Sequence, residues 1–381
     1  MARPKRTPGL IVKIGLVALV SFIALELLLT IFNDLVFRNS FFVYDPDLGF
    51  KVRPYAGWGA YQANEFGFND RDYPHQKAPG VYRILIISDS FNWAGGPEGN
   101  YTALLERKFQ DHFGDSRVEV INAGYSQTHT GEQLKILKKF GLQYQPDLVV
   151  LGFFVGNDFI DAHPERKRIV VGSVVSDINI GRDLEISLWG QPLVLQSRLY
   201  LFLKEQWLTR SYVQPQASTQ AAEVVPISNP AVSLPTEQYL ALEYFRMQVA
   251  NWEQASALRA NETYIFDQML AMRDLLGEQG IEFMVAAYPD EFQVDASLRQ
   301  AVIERYQVNT STYQWDRPQG LLWQFCTEHG IEFYDLLSTF REVHAQGQRL
   351  YLLNDSHWNE AGNTLAAQYL FDILIWKVNN H

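Results

Sequence analysis

The sequence predicts an α/β protein: a three-layer α/β/α fold with a mainly parallel five-stranded sheet, plus an N-terminal transmembrane helix. Three observations carry that expectation. Apolar runs of strand length at 83–88, 118–123, 148–154, 282–287 and 332–336 alternate with stretches of helical spacing. Runs such as Ile84-Leu85-Ile86-Ile87 are apolar at every position, which suits a parallel strand covered on both faces. An almost unbroken apolar stretch, 9–32, stands ahead of them all.

Along the chain, residues 1–9 form a basic cytoplasmic flank holding Arg3, Lys5 and Arg6. Residues 10–32 read as a transmembrane signal anchor, since a helix of roughly 20 apolar residues spans the hydrocarbon core. Lys13 can snorkel to the interface. Glu26 is costly in lipid, so it sits near an end, finds a partner or carries a proton. A cleaved signal peptide would show a small-x-small site, whereas this stretch runs on through Ile31-Phe32-Asn33-Asp34. The basic flank places the N-terminus in the cytoplasm and the remainder outside it, periplasmic or extracellular. Residues 33–80 are a loop-rich preface, and segments such as Asn64-Glu65-Phe66-Gly67-Phe68-Asn69-Asp70 suit a clamp of this linker onto the main domain. Residues 81–378 are the α/β domain, with helices expected over 103–113, 131–141, 240–276 and 360–376 and right-handed crossovers between strands. The rhythm breaks at about 164–235. There a β-hairpin over 168–184 and an amphipathic helix over 195–208 precede a Pro-, Ser-, Ala- and Gln-rich tract that reads as a flexible loop or lid.

Composition narrows the chemistry. With 32 Lys+Arg against 43 Asp+Glu the net charge is −11, which excludes the basic face that nucleic acid requires. Cys326 is the sole cysteine, so an intrachain disulfide framework and a Cys-rich zinc site are excluded. His163 near Asp161 reads as a surface loop, and no metal or other cofactor is expected. Four short blocks stand where strands end: Ser88-Asp89-Ser90, Asn122-Ala123-Gly124-Tyr125-Ser126, Gly156-Asn157-Asp158 and Asn354-Asp355-Ser356-His357-Trp358-Asn359. Sites in open α/β sheets form at the carboxyl ends of strands, so these distant blocks can converge.

Acyl transfer needs a hydroxyl activated by a base, a group that orients the base, and donors aimed at the developing oxyanion. Ser90 is the candidate nucleophile, His357 the base and Asp355 its orienting acid. The backbone N–H groups of Ser90 and Gly124 and the carboxamide of Asn157 are candidate oxyanion donors, a Cβ at position 124 being expected to crowd the substrate carbonyl. Asp89 and Asp158 read as carboxylates that hold turns. Trp93 and Trp358 are candidate stacking surfaces for a sugar, with core packing as the alternative reading.

These blocks resemble the SGNH (GDSL-type) hydrolase superfamily in order and approximate spacing, over about residues 81–375. The serine, glycine, asparagine and histidine of that pattern fall on Ser90, Gly124, Asn157 and His357. The form Asp355-x-His357-Trp358-Asn359-x-x-Gly362 is similar to the alginate O-acetyltransferase-type subgroup, and the stretch 45–70 resembles the preface of bacterial membrane-anchored members. Ser88 stands where the family has glycine, and Asn354 stands where much of the superfamily has its acid; the subgroup's spacing selects Asp355. The resemblance implies a flavodoxin-like SGNH fold and an extracytoplasmic serine esterase that acts on acyl esters, acetyl above all, of a carbohydrate or other small ester through an acyl-serine intermediate. The alternatives are a polysaccharide O-acetyltransferase with the same triad, served by a membrane acyl-donor partner, and a non-catalytic binding protein on the same fold.

Overall fold

The N-terminal apolar stretch folds as a single helix, α1 (Pro8–Ile31), in the computed structural model. The structure describes residues 8–32, 41–58, 61–163, 166, 168–171, 174–177, 187–188, 191–193, 197–200, 202–203 and 234–380. Their contacts define two units, Met1–Lys51 with Glu165–Glu223, and Val52–Pro164 with Val224–His381.

In the first unit, Val12–Ile31 is long and apolar enough to cross a membrane, and its Leu16, Val17 and Val20 are exposed. Glu26 has found a partner: Ser197 Oγ donates to its carboxylate at 2.9 Å, Leu199 N–H at 3.1 Å, and Arg198 N–H donates as well. Arg168–Val171 pairs antiparallel with Val174–Asp177, as the expected hairpin. Helical turns are present at 198–200 and 202–203. The rest of the expected helix 195–208, and most of the Pro-rich tract, lie outside the described residues.

The second unit holds the sheet. Its strands are β1 (Tyr82–Ile87), β2 (Val118–Asn122), β3 (Leu148–Phe154), β4 (Glu282–Tyr288) and β5 (Glu332–Asp335). The spatial order is β5-β4-β3-β1-β2, and every pairing is parallel. Read from the other edge this is the doubly wound, flavodoxin-like order, with the strand order reversing at β1/β3. All residues of β1 and β3 are buried, because helices cover both faces of the sheet. On one face lie α2 (Tyr101–Phe113) and the closing helix α9 (Glu360–Asn379), which pack on each other. On the other lie α3 (Thr130–Lys139) and α5 (Ala255–Gly277). The five-stranded three-layer fold expected from the sequence is thus the fold observed.

One expected element differs. The helix over 240–276 is two helices, α4 (Thr236–Arg246) and α5, separated by 3₁₀ turns at Met247–Ala250 and Trp252–Gln254. Asn251 causes the break: its backbone is extended, bridges to Tyr313, and its side chain accepts from Glu253 N–H at 3.0 Å. An Asn that caps its own downstream amides competes with helix continuation. Helices α6 (Ala296–Tyr306), α7 (Arg317–Glu328) and α8 (Leu337–Ala345) complete the unit.

Candidate active site

The carboxyl ends of β2, β1 and β3 are neighbours, because Ile86 pairs with Asn122 and Ile87 with Leu151. That register brings the first three sequence blocks to one rim of the sheet. Ser90 opens a 3₁₀ turn (Ser90–Asn92) directly after β1, and Asp89 caps the turn by accepting from Phe91 N–H at 3.0 Å. The fourth block arrives from the loop before α9.

Across that loop the chain of hydrogen bonds is continuous. His357 Nε2 lies 2.8 Å from Ser90 Oγ, and His357 Nδ1 lies 2.6 Å from Asp355 Oδ1. The same Asp355 oxygen accepts from the His357 backbone N–H at 3.0 Å, fixing the imidazole's approach. Burial raises the Asp355 carboxyl, but the His357 charge and these hydrogen bonds outweigh it and hold the group at about 2. Burial likewise works against the imidazolium of His357; the Asp355 carboxylate beside it prevails, and the net direction is upward. Asn354 does not take the acid's place. It adopts a left-handed backbone (φ 51°), and its amide donates to Leu234 O at 3.0 Å and Thr236 Oγ1 at 3.3 Å, away from the imidazole.

The preface braces this rim. Asn69 Nδ2 donates to Asn92 O and Trp93 O at 3.4 Å, and Asp70 Oδ2 accepts from Asn122 N–H at 2.8 Å. Burial drives the Asp70 carboxyl up to about 8. The turn after β1 and the end of β2 are therefore tied to one another through residues 69 and 70, a linkage that no spacing in the sequence announces.

Gly124 and Asn157 follow the ends of β2 and β3, on the rim where Ser90 follows β1. The Gly124 N–H donates to Asn122 Oδ1 at 3.1 Å. A Cβ at this position would stand 2.2 Å from the Asn92 Cβ, so Asn92 packs against this glycine. Asn157 Oδ1 is buried and has no hydrogen-bond partner. At Asp89, burial raises the carboxyl while the Phe91 N–H, His357 and the Asn157 side chain oppose it. Asp158 accepts from Phe154 N–H at 3.0 Å and is pushed well upward by burial and by Asp89. Both acids hold turns, as expected from the sequence.

Both tryptophans are buried, the core-packing alternative to a stacking surface. Trp358 is 1% exposed and packs in the core among Phe91, Tyr288 and Phe340, with ring centroids 4.8, 4.9 and 5.2 Å away. It also borders the cavity beside Asp355 and His357. Trp93 is also buried and lies 4.3 Å, centroid to centroid, from Tyr61, yet it lines the same cavity, of about 400 Å³, together with Tyr61, Leu104, Arg107 and Leu352.

Sequence reasoning passed over Arg246. This buried guanidinium ends α4, lies 5.2 Å over the Phe154 ring, and stands 3.5 Å from Glu243 Oε1 and 3.8 Å from Asp290 Oδ2. Its charge lowers both Asp355 and His357. Asp290 in turn closes on the turn after β3: a Cβ on Gly156 would fall 1.8 Å from its Oδ2. No cluster of His, Cys, Asp and Glu that could hold a metal is found among the described residues, His163 and Asp161 included.

Residues 246–375, about a third of the chain, match the model of a family described as SGNH hydrolase-like domain, acetyltransferase AlgX. The match bears out the resemblance to SGNH hydrolases and the enzyme class, ester hydrolase or O-acyltransferase. No curated protein matches the chain. Similar solved structures include an acetyl xylan esterase, AlAXEase, at 13% identity over 77% of this chain and 99% of that one, TM-score 0.40. A putative lipolytic protein of the G-D-S-L family from Desulfitobacterium hafniense DCB-2 has 14% identity over 77% and 99%, TM-score 0.36. A lipase/acylhydrolase from Enterococcus faecalis has 13% identity over 78% and 97%, TM-score 0.36.

Proposed function

We propose that this protein is a serine ester hydrolase that removes acyl groups, acetyl above all, from a carbohydrate or other small ester outside the cytoplasm, held at the membrane by α1. The observation that carries the reading is the unbroken line Asp355–His357–Ser90, with links of 2.6 and 2.8 Å.

In this reading Ser90 Oγ attacks the ester carbonyl as His357 Nε2 takes its proton. The tetrahedral oxyanion faces the Ser90 N–H, the Gly124 N–H and the Asn157 carboxamide. The Gly124 N–H then exchanges its bond to Asn122 for one to the oxyanion. The C–O bond to the alcohol breaks as His357 returns the proton to the leaving oxygen, which leaves acyl-Ser90. Water, deprotonated by the same imidazole, attacks the acyl carbon; the carboxylic acid departs and Ser90 regains its proton. The cavity beside His357, aromatic and aliphatic with Arg107 on its wall, is the place for the alcohol part of the ester.

The family match favours a second reading. If a sugar hydroxyl replaces water in the second step, the same residues make a new ester, and the protein is a polysaccharide O-acetyltransferase that draws its acyl groups from a membrane partner. The test is turnover of p-nitrophenyl acetate by the full chain in detergent, wild type beside Ser90→Ala, with and without added oligosaccharide. Release of p-nitrophenol that vanishes with Ser90 supports the mechanism, and acetylated oligosaccharide among the products selects transfer. Equal release from the two proteins would overturn the role of Ser90.

A further inference from the structure

Glu26 interrupts the apolar run of α1 five residues before its end at Ile31, which places its carboxylate about 8 Å short of that end at the α-helical rise. A bare carboxylate at such a depth in lipid is expensive. Its oxygens are instead met by the Ser197 hydroxyl and by the backbone N–H groups of Arg198 and Leu199. Ser197 is built for this. Its Oγ also accepts from Tyr200 N–H at 3.0 Å, as an N-cap does, and its own N–H donates to Leu193 O at 2.9 Å. The carboxylate therefore rests on the first amides of a helical turn, where the peptide dipoles favour negative charge.

Two things follow from that contact. The donors lie at the depth of Glu26, so the segment that carries them lies there too. The side chains beyond the donors are apolar or amphipathic (Leu199, Tyr200, Phe202 and Leu203), and Leu203 is 56% exposed. Around Glu26 on α1, Leu25, Leu27 and Leu28 are exposed as well. Leu203 on this segment and the leucines flanking Glu26 on α1 are thus uncovered, with Arg198 the one charge on 197–203 and suited to the headgroup layer.

We infer that residues 197–200 and 202–203 lie in the outer interfacial layer of the bilayer, clipped to α1 through Glu26, so that the insertion is a second contact of this protein with a lipid surface. The inference rests on the reading of α1 as a membrane span. It gives Glu26 a task, which is to fix the insertion to the anchor at a set depth.

The test places single nitroxide labels on the full chain in phosphatidylethanolamine–phosphatidylglycerol vesicles, at Leu203→Cys, at Ala18→Cys within α1, and at Gln279→Cys on an exposed turn. The native Cys326 is buried and its thiol is pushed up to about 12, so it does not take the label. The expected result is that labels at 203 and 18 collide preferentially with oxygen, and the label at 279 with a water-soluble nickel complex. Glu26→Ala makes α1 more apolar and leaves it inserted, and it is expected to move the 203 label severalfold toward water while the 18 label stays in lipid. A 203 label as aqueous as that at 279, with the 18 label in lipid, overturns the inference; so does a 203 label that ignores Glu26→Ala. An aqueous 18 label overturns the membrane reading of α1, and the inference with it.

Discussion

Asp355→Asn probes the proposed triad most directly. The carboxylate it removes touches His357 twice, at Nδ1 (2.6 Å) and at the backbone N–H (3.0 Å). During each turnover His357 becomes an imidazolium beside it. Two unit charges about 4 Å apart at an effective dielectric near 20 attract by about 4 kcal/mol, and at about 1.4 kcal/mol per decade this is a factor of about 10³ in rate. The asparagine amide can also present a donor to Nδ1 and trap the wrong tautomer, which takes the corresponding loss in other serine hydrolases to about 10⁴. The expected fall in kcat/KM for p-nitrophenyl acetate is therefore about 10³–10⁴. Asn354→Gly is the companion variant. Glycine keeps the left-handed backbone at that position, and the lost amide bonds run to Leu234 and Thr236 rather than to the imidazole. Its activity should stay within a few-fold of wild type. If Asn354→Gly lost more activity than Asp355→Asn, or if Asp355→Asn stayed within about tenfold of wild type, the assignment of the acid would be refuted.

Asn157→Ala removes one proposed oxyanion donor and should lower kcat by about 10²–10³ with little change in KM; an unchanged kcat would remove it from the oxyanion site. Activity needs neutral His357, whose pKa is shifted upward from its usual value of about 6.5, so kcat/KM should climb with pH through a midpoint above that value. Arg246 opposes the shift, so Arg246→Met should move the midpoint to still higher pH, and a movement to lower pH would contradict the placement of its charge. Trp358→Ala opens a void among Phe91, Tyr288 and Phe340 and should cost about 3–5 kcal/mol in urea unfolding. A loss confined to activity would return this side chain to the substrate.

The sheet was legible because its central strands β1 and β3 are buried on both faces, so their apolar runs are continuous and cannot be mistaken for amphipathic helix. Three of the four blocks were legible for a related reason: a parallel sheet delivers its strand ends to one rim, and each of the three follows such an end, whereas the fourth stands in the loop between α8 and α9. What stayed hidden depends on contacts between positions with no local signature. Glu243 and Arg246 look like the polar side of a helix; only the packing of α4 shows them buried against Asp290. The packing of Gly124 against Asn92, thirty-two residues earlier in the chain, has no local signature either. Asn251 reads as one more polar residue in a helical stretch until its extended backbone is seen. Ser88, where a glycine was expected, is fully buried next to Asp89 with its hydroxyl 3.5 Å from Oδ1, so the strand end accepts a small hydroxyl.

Glu243 raises a question of energy. Two acids and one arginine buried together are a poor source of stability compared with apolar packing, and a second acid beside Asp290 has no cation of its own. Its carboxyl shares a side-chain hydrogen bond with Asp290. Burial, and then the Asp290 carboxylate, push its carboxyl well above its ordinary value, with Arg246 opposing. Folding thus favours the protonated form of Glu243, whereas in the unfolded chain the group is ionised above about 4.5. The folded state then binds the extra proton, so this group's contribution to stability is largest at acid pH and falls as pH rises above about 4.5, by up to about 1.4 kcal/mol per unit. Glutamine is the neutral, isosteric stand-in for that protonated acid. Glu243→Gln should unfold in urea much as wild type does near pH 5, and should be the more stable of the two at pH 7, because it has no proton to lose on unfolding. If the difference between the two proteins did not change between pH 5 and 7, Glu243 would be ionised in the folded state and would share Arg246 with Asp290 as a second anion.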